Sequence, residues 1–112
     1  MDVTIPDEID RNSGLARAVR EATELLDEEI GRTSIAARAA WSLDKDENGR
    51  DLLYLRVSDW TGSVGYRFVP EELSNANHMK ARFSRLWGDF LQVRSHVQMD
   101  ESWWSLEQLS GK

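Results

Sequence analysis

The chain predicts an α+β fold. It reads as a helix, a three-stranded antiparallel meander and a second helix, in two layers, with a short C-terminal helix or tail. Three observations carry this. Between Arg32 and Pro70, apolar and polar residues alternate three times over, the period of a strand with one buried face. The segments on either side repeat apolar residues at steps of three and four, the period of a helix with one buried face. The connections between the three alternating stretches are too short for anything but antiparallel hairpins.

The first twelve residues are polar, with four acids and no apolar run among the first ten, and they read as a mobile lead-in rather than a secretory leader. Ser13 is placed to cap the first helix, Ser13 to Ile30. Its buried stripe is Leu15, Val19, Ala22, Leu26 and Ile30, widened by Ala18 and Leu25, and Gly31 comes next as a stop.

The first strand runs through Ile35, Ala37, Ala39, Trp41 and Leu43 on its core face. Asp44 to Asp51 forms a hairpin loop, with Asn48-Gly49 suited to positive φ. Leu53, Leu55 and Val57 continue the core face on the second strand. Asp59-Trp60-Thr61-Gly62 makes a second turn, and Val64, Tyr66 and Phe68 face the core from the third strand. Pro70-Glu71-Glu72-Leu73 reads as a proline-led turn, with Asn75 or Asn77 capping the second helix. That helix, Asn77 to Gln98, buries Met79, Phe83, Leu86, Trp87, Phe90, Leu91 and Val97 and leaves Gly88 towards solvent. The Trp-rich tail, residues 99–112, contains Trp103, Trp104, Leu106 and Leu109. The whole chain, 1–112, is one domain by size.

Composition narrows the function. Forty per cent hydrophobic and 30 per cent charged residues are ordinary globular composition rather than that of a disordered chain. Without cysteine there are no disulfides, no thiol chemistry and no cysteine zinc site, and a reducing, cytoplasmic setting is the expectation. The net charge of −6 argues against phosphate-driven nucleic-acid binding and against an anionic membrane surface. No apolar stretch approaches the roughly 20 residues that span a bilayer.

Parity places Arg38, Arg56 and Arg67 together on the sheet face opposite the helices, one per strand, with Tyr54 and Leu52 beside them. Guanidinium groups so arranged suit carboxylates or phosphates. The acids and rings of Asp100, Glu101, Trp103 and Trp104 complement that face, in the same chain or in a second copy. Adjacent tryptophans on a helix point about 100° apart, so one of the pair must meet a second surface or stay exposed.

Catalysis finds little to work with. His78 and His96 lie five helical turns apart, roughly 27 Å, and cannot share a metal or a substrate atom. No nucleophile elbow, phosphate loop or metalloprotease pair occurs. Asp44 to Gly49 matches the first half of a calcium loop, but its twelfth position is Leu55 and its flanks are strands, so a polar turn is the better reading. The chain is therefore expected to be no enzyme, to carry no cofactor or metal, and to act as a small acidic protein–protein interaction or regulatory module. Its partner is another protein or a second copy of itself, contacted through Arg38, Arg56, Arg67, Tyr54, Trp103 and Trp104.

The order of elements resembles that of the double-stranded RNA-binding domain. That resemblance implies an alternative, a nucleic-acid binder using the basic start of the second helix, where Lys80, Arg82 and Arg85 fall. Two other contact regions of that family correspond to acidic stretches here. One is the Asp44 to Asp51 loop, which also lacks a glycine-proline-histidine cluster. The other is the end of the first helix at Asp27, Glu28 and Glu29.

Overall fold

The computed structural model describes the backbone of residues 1–31, 33 and 35–109, and the side chains of those residues as far as Val97. The elements are β1 (Asp2–Thr4), α1 (Asp7–Asp10), α2 (Ser13–Gly31), β2 (Arg38–Lys45), β3 (Asp51–Asp59), β4 (Gly62–Phe68), a 3₁₀ turn (Pro70–Ser74) and α3 (Ala76–Leu109). The α+β class and the central meander are as expected. The sheet differs: it has four strands in the order β1-β2-β3-β4, and β1 runs parallel to β2, with Val3 opposite Ala39. The sheet is therefore mixed, not a purely antiparallel three-stranded one.

The lead-in expected to be mobile supplies β1 and α1. Val3 packs against the core as a partly buried side chain, and Ile9 is completely buried in it. The cap of α2 is also displaced by one residue. Asn12, not Ser13, offers the side-chain oxygen, which accepts from the Leu15 amide at 3.2 Å. That satisfies one of the amides a helix start leaves unpaired.

The meander obeys the hydrophobic parity. Ala39, Trp41, Leu53, Leu55, Val57 and Phe68 are buried beneath the sheet, and Val64 and Tyr66 are half-buried there. The β2–β3 loop is a tight turn built on Asp46, whose carboxylate accepts from the amides of Asn48 at 2.8 Å and Arg50 at 2.9 Å. Gly49 holds φ at +77°, which favours glycine. The β3–β4 turn is fastened by Asp59, which accepts from the amide and hydroxyl of Thr61.

Both long helices cover the same sheet face, giving two layers. From α2 come Val19, Ala22, Leu26 and Ile30; from α3 come Met79, Phe83, Leu86, Trp87 and Phe90. Phe68 is the hinge of the core, 5.9 Å from the Trp41 ring and 5.7 Å edge-on to Phe83. Burying side chains of this size contributes roughly 1.5–3 kcal/mol each. Trp41 also donates its indole N–H to the Thr23 hydroxyl at 3.0 Å, so its one polar atom is satisfied.

Two details of α3 depart from the sequence reading. Leu91, placed in the buried stripe, is 37 % exposed. The helix also does not stop near Gln98 but continues as one element to Leu109, for no glycine or proline lies between Gly88 and that point. The expected separate short helix is thus the last turns of α3. The side chains of Trp103 and Trp104 lie outside the described residues.

Candidate functional site

The outer sheet face is open: among the described residues no element packs on it. Strand pairing sets its pattern. Arg38 lies opposite Ser58, Arg56 opposite Ala40 and Gly65, and Arg67 opposite Tyr54. Each arginine is therefore one diagonal step from the next, about 7–8 Å between side-chain roots. The three cations form a line running obliquely from β2 to β4, on side chains that are all exposed.

Their surroundings differ. Arg56 stands between Ala40 and Gly65 in register and is exposed. Arg38 has Asp2 of β1 beside it in register. Arg67 reaches the Asp44 carboxylate at 3.4 Å and lies 5.9 Å from the centre of the Tyr54 ring. Exposed pairs of this kind contribute about 0–1 kcal/mol and are easily exchanged for a partner's carboxylate. Arg38 and Arg56 make no ion pair among the described residues. Tyr54 lies flat across β4, over Gly65. Leu52 is half-buried on the same face, opposite Asp44.

Past the edge of β4 the face turns into a groove of about 850 Å³ between that strand and α3. Tyr54, Gly65 and Arg67 form its upper wall, and Arg82, Arg85 and Asp89 its lower wall. Arg82 and Arg85 belong to the basic start of α3; Lys80, the third member of that cluster, does not line the groove. Arg82 is an organising residue. Its guanidinium donates to Glu72 at 2.7 Å and to the Arg67 carbonyl at 3.1 Å, and it stacks 4.4 Å above the Phe68 ring. His78 meets the same Glu72 at 2.9 Å. The cluster of cations where the helix dipole disfavours them is thus partly neutralised by one carboxylate on the 3₁₀ turn. Burial pushes the Glu72 carboxyl up, but hydrogen bonds from Arg82, the Val69 amide and His78, with the Arg82 charge, outweigh it and hold the group below its ordinary pKa.

Sequence reasoning missed two features. The sequence shows Glu72 only as part of a turn. Its spacing three residues after Val69, where its carboxylate returns to the Val69 amide at 2.8 Å, is the signature that marks it. Trp60, in the sequence only a turn residue, is 67 % exposed at the β3–β4 tip. Below that tip Asp59 and Arg94 form an ion pair with both side chains largely buried.

An oblique row of arginines thus lies on the uncovered sheet face and is continued by a groove with further arginines. No family model, curated protein or solved structure matches this chain.

Proposed function

We propose that this is a recognition module that binds another protein through the outer face of its sheet. The diagonal of Arg38, Arg56 and Arg67 across that open face carries the reading. The three guanidinium groups select an acidic surface and set its orientation, and Tyr54 supplies a flat aromatic contact. A local cationic face on a chain of net charge −6 suits a specific acidic partner better than a polyanion, which the rest of the molecule repels.

A photo-crosslinking amino acid at Ala40 or Ser58 on the outer face, compared with one at Glu24 on α2, tests this in the cells the protein comes from. The expected result is a discrete protein adduct from the two sheet positions, none from Glu24, and its loss in the R38E/R56E/R67E variant. A nuclease-sensitive adduct would favour the nucleic-acid reading through Lys80, Arg82 and Arg85. An adduct from Glu24 alone would overturn the reading of the sheet face. A second copy of this chain is one possible partner, and an adduct of twice the chain mass would identify it.

A further inference from the structure

The open edge of β4 carries a row of backbone groups, and the arginines around it give that row a preference. β4 has β3 on one side only. The Arg67 carbonyl accepts from the Arg82 side chain, which belongs to α3 and not to the sheet, so this carbonyl points away from β3. In an antiparallel strand the N–H and C=O of one residue point the same way, and the direction alternates along the chain. Gly65 and Ser63 therefore aim both their groups at the open edge, as Arg67 aims its N–H. None of these five groups has a backbone partner among the described residues. All three residues are exposed.

We infer that this edge accepts an acidic, extended segment of the protein partner as a fifth strand. The inference rests on the proposed role of the outer face and assigns the partner's chemistry. The backbone row calls for a polypeptide in extended form, because a small anion or a folded surface leaves it unsatisfied. The charges call for acidic side chains. Those rising above the added strand meet Arg67; those falling below it meet Arg85, which makes no ion pair among the described residues, and Arg82. α3 runs antiparallel to β4, since Arg82 bonds to Arg67 near one end and Asp89 to Tyr66 further back. Asp89 is the one acid among the described residues that line the groove, and it is engaged by the Tyr66 hydroxyl. The acid-selecting part is thus the Arg67 end. A second copy pairing β4 to β4 is disfavoured, as it would bring two sets of arginines together.

The probe is an end-blocked eight-residue peptide of alternating glutamate pairs and valine pairs, which sets acids on both faces of an extended strand, titrated into the protein labelled with nitrogen-15. The inference expects saturable shifts at Ser63, Gly65 and Arg67, with amide exchange at Ser63 and Gly65 slowed at least tenfold. It expects at least tenfold weaker binding in R85E, whose side chain is exposed, and for the lysine–valine peptide. S63P, which removes one edge donor and no charge, should bind at least threefold more weakly. Shifts at Arg38 and Arg56 with unchanged exchange at Ser63 and Gly65 would overturn the added strand and leave the sheet-face reading standing. No binding of the peptide at all, with the outer-face adduct retained, would overturn it equally. Loss of both would remove the reading beneath it as well.

Discussion

Tyr54 owes its position to Gly65. The tyrosine lies across the neighbouring strand so closely that a Cβ at position 65 would fall 1.9 Å from its hydroxyl oxygen and 2.4 Å from the ring carbon that bears it. Gly65 is also opposite Arg56, whose side chain stays exposed.

The expected consequence is a change of sign between backgrounds. G65A forces the ring off the strand and should lower stability by about 1 kcal/mol, the typical cost of crowding a packed contact. In a Y54A background the obstacle is gone, and alanine should stabilise the strand by roughly 0.5–1 kcal/mol over glycine. Urea unfolding of the four proteins of this cycle measures both. Equal effects of G65A in the two backgrounds would contradict the arrangement.

The Trp41–Thr23 bond gives a second test. Trp41 is 2 % exposed, and Thr23 is the partner of its indole N–H. T23V keeps the shape and removes the acceptor, leaving a buried donor unsatisfied. The expected loss is about 1–3 kcal/mol. T23S retains the hydroxyl and should lose markedly less in the same denaturant titration.

Much of this architecture was legible in the chain because it depends on periodicity. The odd residues of β2 and β3 and the even ones of β4 turn inward as the alternation requires, and that parity alone brings Arg38, Arg56 and Arg67 to one face. The N-terminal elements were not legible for the opposite reason. β1 is three residues long, with Val3 its only inward side chain, and α1 is a single turn whose apolar residue, Ile9, sits among acids. Neither is long enough to show a period, and β1 is fixed by a partner strand that begins only at Arg38. The contacts of Arg82 and His78 with Glu72 were hidden too, since they depend on the 3₁₀ turn folding Glu72 back beneath α3.

The Asp59–Arg94 pair predicts a steep penalty for removing one partner. Both side chains are largely buried, Arg94 at 16 % and Asp59 at 7 % exposure. D59N leaves the guanidinium enclosed without a countercharge and weakens the turn that Asp59 fastens through Thr61. A loss of about 3–5 kcal/mol is expected. R94M, which leaves Asp59 its two bonds from Thr61, should lose less. Thermal unfolding of the two variants would show the reverse order if the pair did not bridge the turn to α3.

Stability against pH should have two limbs, each traceable to a named group. Burial raises the Asp59 and Glu72 carboxyls, but the bonds from Thr61 and Arg94 to the first, and from Arg82, the Val69 amide and His78 to the second, prevail and set both below their ordinary values of 3.8 and 4.5. The folded state therefore binds those protons less readily than the unfolded chain. Their contribution is complete above the ordinary values and drains away as pH falls through the lowered ones. Tyr66 acts in the other direction. Burial, the hydrogen bond to Asp89 and its negative charge raise the phenol above 10.0, against the opposing charges of Arg85 and Arg82. Its contribution is complete below 10.0 and is lost as pH rises through the higher folded value. E72Q should flatten the acid limb and leave the alkaline one, while Y66F should do the reverse. Urea unfolding at a series of pH values from about 2 to about 11 measures both limbs. An acid limb in E72Q as steep as in the parent would show that Glu72 is not held by Arg82 and His78 in the folded protein, and the groove's lower wall would lose the contact that orders it.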